Sequence, residues 1–253
     1  MKYVIEFTKT GRMAYISHLD LSRVFLRALR MTGLRPAYSQ GFNPHPKMSI
    51  ALPLSLGQSS VCELIEVETA SDSPVNVAPA ADSRLNVAPA ADNSIENAIR
   101  ELNARLPDDL HVTSMRKKPD AFPKSLASYV EAAKYEILCD GIYNANDRLA
   151  KFFAQEHILI EKTSKKTGKI SEKDIRPQML DYNVKTEIHG WLLCRVTLSA
   201  GAGSVLSPKT FFDAFIASIA GEEPAGTFDT YIPSITRLAI FGQNGNILSG
   251  LAD

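Results

Sequence analysis

The chain has 253 residues, of which 45% are hydrophobic and 22% are charged, and its formal net charge at pH 7 is zero. This balance is typical of globular proteins, and the zero net charge excludes a global electrostatic bias toward nucleic acid. The charge is nevertheless uneven, because residues 1–50 carry eight Lys and Arg residues against Glu6 and Asp20, a local charge of +6. A basic region of this kind can attract phosphate while the whole chain stays neutral.

The cysteines and the hydropathy pattern indicate the compartment. Cys62, Cys139 and Cys194 match no zinc or cluster spacing, so we expect no metal and no other cofactor. A small odd number of cysteines is typical of a reducing compartment. The first residues are charged, unlike a signal peptide, and no apolar run approaches the roughly 20 residues of a membrane span. We therefore expect a cytoplasmic protein without a membrane partner.

The first part of the chain predicts the element order β-α-β-β-α-β. Alternating apolar residues favour strands and helical spacing favours helices. The predicted elements are a strand at 2–8, a helix from the N-cap Ser17 to Gly33, strands at 48–56 and 61–69, a helix at 94–106 and a strand at 110–115. This order is typical of a split β-α-β, or ferredoxin-like, unit.

An internal duplication interrupts this first unit. The segment "NVAPAAD" occurs twice with a ten-residue step, within residues 70–93. Two short copies are too few for a solenoid, and their Ala, Pro and Asp composition favours a flexible surface insert. We therefore predict an N-terminal ferredoxin-like module at 1–118 that carries this insert.

A second pattern follows a basic, proline-bearing segment at 119–128 that is predicted to be a linker. Its predicted elements are a strand at 134–140, a helix at 144–155, a hairpin at 157–164 and 170–177, a strand at 190–201, a helix at 207–221 and a strand at 231–241. With the 157–164 strand counted and only its hairpin partner at 170–177 set aside, the order is again β-α-β-β-α-β. We therefore predict an α+β fold of two tandem ferredoxin-like (split β-α-β) modules with antiparallel sheets, the second at 129–253.

Two neighbouring features suggest a binding surface in the first module. Arg23, Arg27 and Arg30 lie at i, i+4 and i+7 of the first helix, so they share one face that is either solvated or in contact with phosphate. The loop "YSQGFNPHPKM" follows that helix. Asn43 and His45 each precede a proline, which excludes helical geometry and favours a shaped loop.

A second basic segment, at 162–176, recurs on the predicted hairpin, and exposed aromatic residues in the loop are suited to stack on bases. We therefore predict an RNA-binding surface formed by Lys9, Arg12, Arg23, Arg27, Arg30, Tyr38, Phe42, Asn43, His45, Lys47, Lys165, Lys166, Lys169 and Arg176. Asp174 lies two residues before Arg176, and such a pair more often fixes a turn than reacts with a substrate.

The candidate catalytic residues are His18 and His45. A histidine beside a basic patch can act as a general base on the RNA 2′-OH without a metal, although either residue can instead pack or bind. The sequence contains no phosphate-binding glycine loop of the Walker or dinucleotide type, no serine nucleophile elbow and no His-Glu-x-x-His motif.

The stretch "FTKTGRMAYISHLDLSRVFLRALRMTGLRPAYSQGFNPHPKMSIALPLSLG" closely resembles the opening of the radical SAM-linked protein family, with "SHLDL" and "GFNPHPK" as its specific motifs. The similarity continues more thinly through "LNARLP", "KTSKKTGKISEKDIRP" and "LSPKTFFDAF". That family is a domain of unknown function found alone or attached to radical SAM proteins with a cobalamin-type domain. The resemblance therefore implies a radical SAM partner but no reaction.

Three functions are consistent with this sequence. The first is an RNA-binding accessory or substrate-presenting protein that works with a radical SAM enzyme in RNA modification or ribosome maturation. The second is a metal-independent RNA-processing endonuclease with a histidine base. The third is a protein adaptor that docks an acidic partner and binds no RNA.

Overall fold

The computed structural model describes residues 1–70, 95–120, 122–142, 144–163, 168, 170–187, 191–220 and 231–250. The chain divides into two compact units, one formed by residues 1–129 with 247–253 and the other by residues 130–246. The fold is mixed α+β, as predicted, with four α-helices among the described residues. The duplicated insert, apart from residue 70, lies outside the described residues.

The first unit contains four strands and two helices, and its strand pairings are antiparallel in the order β4-β1-β3-β2. Their bounds are β1 (Lys2–Lys9), α1 (His18–Met31), β2 (Met48–Ile50), β3 (Ser59–Glu68), α2 (Ile95–Asn103) and β4 (Leu110–Lys117). The predicted strand at 48–56 is confirmed only over its first three residues. Pro53 has no N–H for a strand ladder, which limits that strand.

One apolar core holds α1 against the sheet of the first unit. Alternate residues of β1, including Ile5 and Phe7, meet the buried stripe of α1, where Phe25 and Leu29 are fully buried. The rings of Phe7 and Phe25 lie 4.5 Å apart. Burying a side chain of this size contributes about 1.5–3 kcal/mol, so this stripe fixes which face of α1 remains in solvent.

The segment predicted as a linker, 119–128, is part of the first unit. The buried Lys118 ammonium lies 2.8 Å from the Glu66 carboxylate, which also accepts a hydrogen bond of 3.0 Å from the backbone N–H of Leu126. Leu126 itself is buried. These contacts tie the segment to β3.

The second unit contains seven strands and two helices among its described residues. Their bounds are β5 (Ala132–Cys139), α3 (Ala145–Phe153), β6 (Leu159–Thr163), β7 (Ile170–Asp174), β8 (Met179–Glu187), β9 (Trp191–Gly201), β10 (Ser204–Val205), α4 (Pro208–Ile219) and β11 (Ser234–Phe241). Four strands pair antiparallel in the order β8-β9-β5-β11, with β10 joined to the end of β9. The β6-β7 hairpin forms a separate two-stranded sheet.

Strand β8 was not predicted. It pairs with β9, and Leu180 and Tyr182 on it remain 55% and 39% exposed. Because these residues are largely exposed, the sequence of β8 has no clear alternation of apolar and polar residues. The Tyr182 ring stacks on Phe153 at the end of α3, with centroids 3.7 Å apart, and this contact joins the strand to the helix layer.

Candidate nucleic-acid interface

Helix α1 presents its three arginines to solvent because both helix ends are fixed by local sequence. Ser17 is the N-cap, as predicted, and its Oγ accepts a 3.1 Å hydrogen bond from the Asp20 N–H. Gly33 follows the helix with φ of +79°, a conformation that glycine adopts at little steric cost. Between these ends Arg23, Arg27 and Arg30 are all exposed.

The three arginines differ in how far their charge is already engaged. The Arg23 guanidinium lies 2.7 Å from the Asp20 carboxylate, and hydrogen bonds from Ser17 and Arg23 hold the pKa of that carboxyl below its usual value. Arg30 donates to the Tyr38 hydroxyl, and its guanidinium lies 5.9 Å from the centre of the Tyr38 ring. Within the described part of the chain, Arg27 has no hydrogen bond or ion pair, so its charge is fully available to a ligand.

The loop between α1 and β2 is a short closed hairpin and not an extended connection. At its base Ala37 N–H donates to Glu68 O at the end of β3, while Lys47 N–H donates back to Ala37 O, both at 2.7 Å. Tyr38 pairs with Pro46 in an antiparallel bridge. The base of the loop is therefore anchored to the sheet, and its tip at residues 40–44 projects from a fixed stem.

His45 is held in this stem by Ser39. The Ser39 Oγ accepts a 3.0 Å hydrogen bond from His45 N–H and lies 2.9 Å from His45 Nδ1. His45 Nδ1 also lies 3.4 Å from the backbone carbonyl oxygen of Asn43, so the imidazole is held between Ser39 and the loop backbone. An exposed imidazole held in this way is placed to contact a phosphate or a base edge.

The aromatic and polar residues of the loop tip are exposed. Phe42 is fully exposed, with a relative exposure of 111%, and Asn43 is also exposed. Tyr38 is 43% exposed at the base of the loop, beside Arg30. The structure thus brings Tyr38 and Arg30 into contact, a pairing that has no local signal in the sequence.

Two further basic residues predicted for this surface, Lys47 and Arg12, have different environments. The Lys47 ammonium lies 2.9 Å from the Glu68 carboxylate, whose pKa is lowered by that hydrogen bond. Arg12 is exposed, and its backbone N–H donates to Asp109.

Lys9 does not belong to the surface. It is 1% exposed, and its Nζ donates a 2.9 Å hydrogen bond to the backbone carbonyl of Ala14. The prediction that Lys9 contacts RNA is therefore wrong in this structure, because its ammonium is enclosed in the first unit.

The two candidate catalytic histidines are both exposed, but no hydrogen bond joins them among the described residues. His18 is the first residue of α1, where its carbonyl accepts a hydrogen bond from Ser22 Oγ. A general base is usually oriented by a second group, and of the two only His45 has such a partner, Ser39.

The second basic segment is only partly described. Lys165, Lys166 and Lys169 lie outside the described residues. The guanidinium of Arg176 is only partly exposed and donates to the backbone carbonyls of Phe153, Gln155 and Met179 at 3.1–3.2 Å. These bonds join the end of α3 to the start of β8. Arg176 is therefore a structural residue, contrary to its predicted role in RNA binding.

Asp174 completes this turn, as the sequence predicted. Its Oδ1 accepts 3.0 Å hydrogen bonds from the N–H groups of Ile158 and Arg176, and its Oδ2 lies 2.8 Å from His157 Nδ1. The hydrogen bond with His157, followed by the two backbone bonds, lowers the pKa of Asp174 to about 2. The carboxylate therefore stabilises the turn between β7 and β8.

Sequence reasoning missed one polar cluster in the first unit. Ser114 Oγ donates to Glu6 at 3.3 Å, and the three side-chain nitrogens of Arg116 are buried without a hydrogen-bond partner among the described residues. Burial raises the pKa of Glu6 and lowers that of Arg116. The cluster depends on the register between β1 and β4, which places these residues opposite the apolar face of Ile5 and Phe7.

The cysteines are separate buried thiols. Burial raises the pKa of Cys139 to about 11 and that of Cys194 to about 12, so both remain protonated at neutral pH. Among the described residues, no group of three or more His, Cys, Asp or Glu side chains is placed to hold a metal ion. No described helix is both long enough and apolar enough to cross a membrane.

Comparison with known proteins identifies the family. Residues 2–208 match the family described as "Uncharacterized protein conserved in bacteria (DUF2344)", and because this match covers most of the chain, the chain belongs to that family. No curated protein matches it. A crystal structure of an unknown protein from Galdieria sulphuraria aligns with 93% of this chain and 97% of its own, at 11% identity. The TM-score of 0.23 is too low for that alignment to inform the fold.

Proposed function

We propose that this protein is an RNA-binding accessory or substrate-presenting protein. The observation that carries the proposal is the exposed face of α1, where Arg27 has no partner among the described residues, beside an anchored loop that exposes Phe42 and His45. Exposed guanidinium groups bind phosphate, and exposed aromatic rings stack on bases. These two contacts together are typical of RNA surfaces and are unusual on an ordinary solvated helix.

The partner and the process belong to the same proposal. The resemblance to the radical SAM-linked family supports a radical SAM enzyme as the partner, acting in RNA modification or ribosome maturation in the cytoplasm. The antiparallel strand orders β4-β1-β3-β2 and β8-β9-β5-β11 support the further proposal of two tandem ferredoxin-like modules. An accessory role needs no chemistry from His45.

The test is to crosslink, recover and sequence the RNA bound to the protein in cells, with Arg23→Ala/Arg27→Ala/Arg30→Ala as the variant. We expect specific RNA with the wild type and its loss with this triple variant. A matched control is Lys2→Ala/Arg100→Ala/Lys117→Ala, which removes three exposed cations elsewhere in the first unit. Equal loss in both triple variants would show a general charge effect and contradict the arginine face as the binding site.

The protein adaptor is the second candidate, and one observation favours it. Leu19 and Met31, at either end of the arginine face, are 65% and 51% exposed, and Tyr15 just before α1 is 74% exposed. Apolar side chains around a charged centre are common in protein interfaces. If the wild type recovers a protein partner that Leu19→Ser weakens, and no RNA above background, the adaptor is the correct function.

A further inference from the structure

The position of Phe42 is unusual for this chain. Of the ten phenylalanines that the structure describes, seven are 4% exposed or less, whereas Phe42 is 111% exposed. Burying a phenylalanine contributes about 1.5–3 kcal/mol, and Phe42 contributes none of this to the fold. Its exposure is therefore explained by binding better than by folding.

The loop fixes where this ring is presented. Ser39 N–H donates to His45 O at 2.8 Å, and the side chains of the same two residues are hydrogen-bonded, which closes the stem below the tip. Gly41 has φ of +130°, a conformation that L side chains rarely adopt. Pro44 restricts the chain on the other side of Phe42. A loop backbone held in this way loses little entropy when the ring that it carries stacks on a ligand.

The surroundings of the loop are cationic. Arg30 lies against Tyr38 at the base of the loop, and Arg27 lies one turn before it on α1. Cations at the base of a loop are placed to hold a phosphate backbone, while the exposed ring at its tip is available to a base. A basic groove with an aromatic ring for stacking is the common plan of proteins that bind single strands.

Stacking on Phe42 requires a base with a free face. In an A-form duplex the bases are paired and stacked, and the deep major groove excludes side chains, so a duplex offers no such face. We infer that the RNA bound here is single-stranded, as a loop, bulge or end, and that Phe42 stacks on one unpaired base. This inference rests on the RNA-binding function proposed above and names the class of RNA.

The experiment compares the affinity of the full chain for a labelled single-stranded RNA of about 12 nucleotides with its affinity for the same strand annealed to its complement. We expect the single strand to bind more tightly. Phe42→Ala should weaken single-strand binding about 5-fold to 150-fold, whereas Phe42→Tyr should keep most of it. Phe42→Leu is the decisive control, because it keeps an apolar side chain but removes the aromatic face.

A salt titration separates stacking from charge. Phe42→Ala should leave the slope of log K against log salt unchanged, while Arg27→Ala should reduce its magnitude by about 0.7 if one phosphate contact is lost. Circular dichroism and thermal melting check that every variant is folded.

Three results would overturn the inference. Equal binding of single strand and duplex, or wild-type affinity in Phe42→Leu, would remove base stacking and leave the proposed RNA-binding function standing. No binding of either RNA by the wild type would overturn the proposed function and the inference together.

Discussion

Two basic regions of this chain have similar sequence signals and different surroundings in the fold. On α1, Arg27 is exposed with no partner among the described residues. In the turn before β8, the guanidinium of Arg176 donates to three backbone carbonyls and holds the turn together. A cluster of Lys and Arg can therefore serve as a binding surface only where the fold leaves their donors unused.

Lys9 provides the largest expected effect in this comparison. Lys9→Ala removes a buried side chain and the donor to Ala14 O, so we expect a loss of about 2–4 kcal/mol in the free energy of unfolding. Urea denaturation measures this loss. Lys9→Met keeps most of the buried volume and should recover part of it. If Lys9→Ala instead had wild-type stability and reduced RNA affinity, Lys9 would belong to the binding surface.

Arg176→Ala is expected to have the next largest effect. The loss of three charge-assisted hydrogen bonds should lower the free energy of unfolding by about 1.5–3 kcal/mol. Lys at this position keeps the charge but not the forked geometry, so Arg176→Lys should restore only part of the stability. If Arg176→Ala unfolds at the wild-type urea concentration, the structural role is wrong.

The pH dependence of the same turn is a smaller effect. Because the pKa of Asp174 is lowered to about 2 in the folded protein, the carboxylate stabilises the fold at higher pH. This contribution should disappear progressively as the pH falls from about 4 to about 2.

Urea denaturation across this pH range provides the measurement. Asp174→Asn should have lower stability at neutral pH and a flatter loss on acidification, whereas the exposed Asp108→Asn should follow the wild type. Parallel curves for wild type and Asp174→Asn would contradict the assignment.

Arg27→Ala is expected to have the smallest effect on stability, within about 0.5 kcal/mol, because an exposed side chain outside any contact contributes little to folding. The same substitution should reduce RNA affinity, measured by fluorescence anisotropy with labelled single-stranded RNA. The pair Arg27→Ala and Arg176→Ala thus separates the two regions directly. A clear loss of stability in Arg27→Ala would remove the contrast between them.

The elements of the fold that depend on near neighbours were predictable. Ser17 and Ser207 each cap a helix through an N–H three residues away, and Gly33 follows α1 in the left-handed region. The buried stripe of α1 follows from helical spacing, and so does the opposite, exposed face that carries the arginines. Strand β8 was missed, because an exposed edge strand has little apolar periodicity to detect.

The candidate site was predictable in composition and not in detail. The helix, its arginine face and the restricted loop around His45 were predictable, because caps, helical spacing and prolines act over a few residues. Three features follow only from the tertiary structure. Lys9 is buried, Arg176 donates its hydrogen bonds to backbone carbonyls, and Ser39 orients His45. Those outcomes depend on which groups meet after the chain has folded, and a hydrogen bond to a distant carbonyl leaves no local pattern in the sequence.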